Sequence, residues 1–226
     1  MTQTAGPGLD KGCCAAALTR PARQVHLAVL AAFARTGQAP GRGELERIAR
    51  AEGADPGAVL AELAERDVIA FGQAGQIRAA YPFSPSPTPI RVSWEGGPVG
   101  YAMCAIDALG VSAMLGRPVT ITAAEPGTGR VITVDADGEQ ARWDPPGAVV
   151  FAGATGGDCG HAADRSCGYI NFFTSARAAR IWAKANPAVT GTVLGQAGAL
   201  RAGVAEFGAF MRAGHGTGLP ADPGQA

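Results

Sequence analysis

The 226-residue sequence has no surplus of charge, since 19 Lys and Arg offset 19 Asp and Glu. No global field draws it to nucleic acid or an anionic membrane, so any partner is recognised locally. It also lacks a long apolar run. Its uncharged stretches, such as 97–106 and 110–116, are short or broken by glycine, against the roughly 20 residues of a membrane span. The opening MTQTAGPGLDKGCC lacks the basic start and apolar stretch of a secretory signal, which gives the expectation of a cytoplasmic protein. There is no regular cysteine framework and no internal repeat. Cys13, Cys14, Cys104, Cys159 and Cys167 are an odd set, expected as thiols that act as ligands, nucleophiles or small core residues rather than staples.

What is present is enough apolar material, 47% of residues, to fill a substantial core at this length. The ends, 1–19 and 214–226, are rich in Gly, Pro and small residues and are expected to be mobile tails. Between Pro21 and Gly37, Val25, Ala28, Val29, Ala32 and Phe33 recur at helical spacing, with Pro21 suited to a first turn. GRGELERIAR forms a second helix, and Asp55 before Pro56 opens a third through PGAVLAELAERD. VIAFGQAGQIRAAY then reads as two strands around a turn. Residues 20–80 are therefore expected to be a winged helix-turn-helix-like module. Its third helix carries Glu62 and Glu65, followed by Asp67, against Arg66. That is the wrong sign for phosphate contact and argues against DNA binding.

Residues 81–92, YPFSPSPTPIRV, hold four prolines and are expected to be an extended connector excluded from helix and central strand. The remainder, 93–213, reads as α+β. A helix is expected over about Val99–Leu115, then the strands PVTITAAEP, RVITVDADG and AVVFAG of an antiparallel sheet, and GYINFF. A helix capped by Thr174 or Ser175, a short strand Thr192–Leu194 and a last helix Gln196–Arg212 follow. The fold class is thus α+β: a three-helix winged-helix-like module, then a mixed or antiparallel sheet domain with flanking helices.

In GYAMCAIDALGVSAM a thiol and a carboxylate stand three positions apart in an apolar run. On a helix Cys104 and Asp107 would share a face. A buried carboxylate is costly unless paired or used. If Cys167, in DRSCGYINFF, converged with them, the set would suit a soft metal or proton transfer beside one. Spacing alone leaves open that each cysteine is a small core residue.

MCAIDALG followed some sixty residues later by SCGYINFF resembles the organomercurial (alkylmercury) lyases, the MerB family. The resemblance extends to the winged-helix-like module without DNA function, the connector AYPFSPSPT and the Ile181-Trp182 helix, and it covers roughly 20–212. It implies that 93–213 is a catalytic domain. Cys104 and Cys167 would be the two catalytic cysteines that bind mercury, and Asp107 the acid that works with them. The implied reaction is protonolytic cleavage of the Hg–C bond of R–Hg⁺ to a hydrocarbon and Hg²⁺. It needs no organic cofactor, only external thiols, and small thiols or a mercuric reductase as acceptor of the ion. Two departures stand out: Gly168 follows the second cysteine, and Cys159 and His161 on the preceding loop are possible accessory ligands without a family counterpart.

Chemistry supports those residue types. Mercury(II) is soft and prefers thiolates, and a carboxyl beside one thiol can deliver the proton carbon needs. Phe172, Phe173, Met103 and Tyr101 are candidate walls for the organic group, although aromatics at strand spacing are ordinarily core. Two other readings remain at this point. Cys159, His161 and Cys167 offer C-x-H-x₅-C for zinc in a metal-responsive regulator, and the fold can serve another thiol-reactive substrate. Cys13-Cys14 can chelate or relay a soft metal or be incidental. Trp94, Trp143 and Trp182 are expected in the core, and His26 and His215 have no assigned role.

Overall fold

A computed structural model describes residues 11–155, 162 and 166–211. The chain begins with α1 (Lys11–Ala16), α2 (Arg20–Thr36), α3 (Arg42–Ala51) and α4 (Pro56–Glu65). Pro21 lies in the first turn of α2 and Gly37 ends it at φ 70°, a left-handed conformation that glycine adopts without strain. Asp55 caps α4 by accepting the Ala58 amide at 2.8 Å. Within α4, Glu62 accepts both the backbone amide (2.7 Å) and the hydroxyl (2.6 Å) of Thr19. The acidic face of this helix thus fastens the start of α2.

The strands β1 (Ile69–Phe71), β2 (Ile77–Ala80), β3 (Phe83–Ser84), β4 (Ile90–Ser93), β5 (Val99–Ala102), β6 (Val119–Ala124), β7 (Val131–Asp137) and β8 (Gln140–Asp144) form one antiparallel sheet in the order β1-β2-β3-β5-β4-β6-β7-β8. The hairpin β1–β2 is therefore the edge of the main sheet. The proline-rich segment departs from expectation, because Phe83 pairs with both Ala80 and Ala102 in mid-sheet. With only two residues in β3, Pro82 and Pro85 flank the pairing and donate nothing to it. Phe83 also stacks on Phe33 of α2, ring centroids 5.2 Å apart, and one hydrophobic cluster runs from Leu18 to Phe210.

A smaller antiparallel sheet places β9 (Val149–Thr155) between β10 (Ile170–Phe173) and β11 (Val189–Leu194). Glu125, just past β6, joins the two sheets by accepting the Thr174 amide at 2.6 Å and hydroxyl at 2.7 Å. Burial opposes its ionisation, but these bonds and Thr128 outweigh it and hold the carboxyl below its usual range. α6 (Ala176–Ala185), capped by Ser175, covers this sheet with Trp182 against Phe151 and Phe173.

α5 (Ala105–Leu115) is buried from Ala105 to Met114, as expected of a helix apolar on every side. It lies between the main sheet and α7 (Gln196–Phe207). The two helices touch backbone to backbone. A Cβ on Gly203 would stand 2.7 Å from both Gly110 N and Ile106 O, so glycine at each side permits the crossing.

Three boundaries differ from the sequence reading. The helix expected from Val99 starts only at Ala105, because VGYA pairs with β3 and β4 as β5. The expected tail 1–19 is ordered structure from Lys11 onward, with Lys11 itself buried. The last helix ends at Phe207 rather than Arg212, and the tail 214–226 lies outside the described residues.

Candidate functional site

Cys104 is the residue before α5, in an extended conformation, and its sulfur accepts the Asp107 backbone amide at 3.5 Å. The pair therefore occupies the N-cap and third helical positions, where side chain and backbone reach one another. This replaces the expected shared face within a longer helix. The helix N-terminus also favours negative charge at both groups.

Cys167 opens a single 3-10 turn, Cys167–Tyr169, just before β10, and its sulfur lies 4.0 Å from Asp107 Oδ2. The two sulfurs and a carboxylate oxygen all fall within 4.8 Å of one another, and all three residues are buried. The convergence that the sequence left open is thus met.

The surroundings make this a reluctant place for charge. Burial raises the Asp107 carboxyl from 3.8 to about 7, offset in part by its bond with Cys104 and by the Lys11 charge, while Glu206 raises it further. Burial also pushes the Cys104 thiol well above its usual range, helped by Cys167 and Asp107 beside it. Near neutral pH Cys104 and a share of the Asp107 carboxyls hold protons that an arriving cation displaces.

A roof closes over the three residues. Lys11 Nζ donates to Asp67 O at 2.8 Å, pairs with the Asp67 carboxylate and stands 4.3 Å from the centre of the Tyr81 ring. The Lys11 backbone amide donates to Glu206 Oε2 at 2.6 Å. Asp67, with φ 50°, also accepts the Ala162 amide at 3.0 Å. Beneath this roof the enclosed space is about 10 Å³, room for about one water. Lys11, Tyr81, Ile170, Glu206 and Phe207 wall it alongside the three site residues. A larger surface cleft of about 720 Å³, lined by Trp94, Arg117 and Asp135 among others, includes none of the three.

Lys11, Asp67 and Glu206 carried no local signal in the sequence, since each is an ordinary surface residue until remote segments meet. The residues expected as an apolar wall do not line this enclosed space. Phe172 packs on Trp143 and Phe173 on Phe151 and Trp182, and among the described residues neither they nor Tyr101 or Met103 line the enclosed space. Cys159 and His161, and with them the zinc set, lie outside the described residues.

An α+β fold whose buried centre brings two thiols and a carboxyl together offers a donor set that suits a soft metal ion. The chain belongs to the MerB family of alkylmercury lyases, whose family model matches residues 83–208. It is 30% identical over 101 residues to an alkylmercury lyase of Staphylococcus epidermidis, covering 45% of this chain and 46% of that protein. It is 27% identical over 146 residues to one of Streptomyces lividans, covering 65% and 67%. The aligned stretches thus span about half and two thirds of these relatives. The fold also matches the crystal structure of the mercury-bound form of MerB2, with TM-score 0.71, 24% identity and coverage of 88% of this chain and 95% of that one.

Proposed function

We propose that this protein cleaves the Hg–C bond of organomercurials by protonolysis, with Cys104 and Cys167 as mercury ligands and Asp107 as proton carrier. The observation that carries this reading is the convergence of two sulfurs and one carboxylate within 4.8 Å, with that carboxyl raised to about 7. A group of that acidity both accepts and returns a proton at neutral pH.

R–Hg⁺ exchanges its thiol ligand for the protein's sulfurs, and each cysteine gives up its proton as its S–Hg bond forms. Asp107 takes one of these protons. Two thiolates enrich mercury in electron density, Asp107 then delivers the proton to carbon, and the Hg–C electron pair becomes the new C–H bond. The hydrocarbon leaves, Hg²⁺ stays on the two thiolates, and nothing is oxidised or reduced. Small thiols or a mercuric reductase are the proposed acceptors of the ion, in a cytoplasmic setting and without an organic cofactor. Among the described residues no helix is long and apolar enough to cross a membrane.

The test is hydrocarbon release, benzene from phenylmercury and methane from methylmercury, with excess small thiol. Asp107→Ala is expected to retain mercury while losing release by about a hundredfold or more, the scale of a general acid. Release by that variant at the normal rate refutes the assignment.

A further inference from the structure

We propose that Cys13 and Cys14 form a second mercury(II) site, a relay that takes the ion from Cys104 and Cys167 and presents it to solvent. The inference rests on the lyase reading, which leaves Hg²⁺ on two buried thiolates under a closed roof.

The roof itself carries the second thiol pair. Lys11, the first residue of α1, walls the enclosed space together with Cys104 and Cys167, and Cys13 and Cys14 follow on the same helix. Residues three apart share a helical face, so Cys14 lies on the side of α1 that Lys11 turns toward the site. Cys14 is half-buried against the core, whereas Cys13 is exposed. Exposure therefore rises in steps from the site, where Cys104 is 3% and Cys167 6% exposed, through Cys14 to Cys13. Among the described cysteines no disulfide is formed, so all four enter as thiols.

The attachment of α1 suits a moving carrier. Its start is held by Glu206, Asp67 and the Tyr81 ring. A side chain on Gly12 would meet Glu206 O at 3.3 Å, so the helix lies close on α7. Its other end is tied by Arg23 to Ala16 O at 2.8 Å. A six-residue helix is far below the length stable alone in water. Once its first residue lets go, it can unwind while Arg23 keeps it tethered. Unwinding also lets adjacent thiols, which diverge on a regular helix, close on one ion.

The step is ligand exchange. Each attacking thiol of the pair loses its proton as it bonds to mercury, and each departing site sulfur takes one up. No electrons are transferred and no further reactant is needed. Tethering gives the pair an effective concentration in about the millimolar range, ahead of dilute external thiol.

The full chain, reduced and then freed of small thiol, is given two successive additions of one equivalent of phenylmercury, and benzene is counted after each. Wild type is expected to release about one equivalent each time, because its site is cleared between additions. Cys13→Ser/Cys14→Ser is expected to release benzene only on the first, and so is Cys13→Ser alone, at an exposed position. Cys159→Ser is expected to behave as wild type. A second release undiminished in the double variant, a wild type that stalls after the first, or loss of the second release in Cys159→Ser overturns the relay. If no form releases benzene at all, the lyase reading has failed, and equilibrium dialysis with Hg²⁺ alone decides the site. A capacity halved by the double substitution supports it, and an unchanged capacity removes it.

Discussion

Asp107 carries a thermodynamic burden that follows from its place in the site. Its folded pKa of about 7 lies above the ordinary 3.8, so the native state binds more protons than the unfolded chain in that window. The stability it lends is full below about pH 4 and is lost as pH rises through 7. Asp107→Asn is therefore expected to lose cleavage yet to gain stability over wild type as pH rises, about 4 kcal/mol at pH 8 and little at pH 4. Urea unfolding at both pH values checks this, and equal gains at both would contradict the burial account. At this scale Cys104 and Asp107 stood out in the sequence as a thiol and a carboxyl in an apolar run, and it was the resemblance to the alkylmercury lyases that joined Cys167 to them. What made them meet was not legible there. Cys104 is a helix cap only because the four residues Val99–Ala102 were claimed by strand pairing, a tertiary preference that helical periodicity cannot reveal.

Among the elements, the crossing of α5 and α7 fixes the site from behind. Gly110 and Gly203 let the backbones touch, which brings Glu206 and Phe207 to the wall of the enclosed space. Gly203→Ala is expected to force the helices apart, at about 1–3 kcal/mol of stability, the range for overpacking. Cleavage should fall with it as Glu206 moves from Lys11. Thermal melting together with hydrocarbon release reads both effects, and an unchanged melting temperature would mean that the crossing is looser than its geometry. Elements with clean punctuation were readable, α2 and α4 from Pro21, Gly37 and Asp55, and β1 and β2 from the glycine-containing turn between them. α1 was not, since a short helix among glycines is ordered by remote partners, among them Asp67 and Glu206 around Lys11.

The molecule as a whole joins its two sequence halves more tightly than their composition suggests, through a shared sheet and a shared core. His26 lies inside that core, its Nε2 without a hydrogen-bond partner among the described residues and its ring 5.4 Å from that of Phe210. Burial, with the Arg23 charge, lowers its pKa from 6.5 to about 4. Here the unfolded chain binds the extra proton, so the stability is full above pH 6.5 and is lost as pH falls through 4, about 3 kcal/mol in all. Asp107 works in the opposite sense. The difference between wild type and His26→Leu therefore isolates the term: the variant should gain relative to wild type between pH 6.5 and 4. A parallel pair of stability curves would place the imidazole in water. The hydrogen bond from the Lys11 amide to Glu206, near the two ends of the described chain, has a mechanical consequence. Tension applied between those ends loads this bond, together with the hold of Asp67 and Tyr81 on the Lys11 ammonium, before it reaches the strands. A pull in a force spectrometer is therefore expected to unseat α1 and bare the thiols while the sheets still hold.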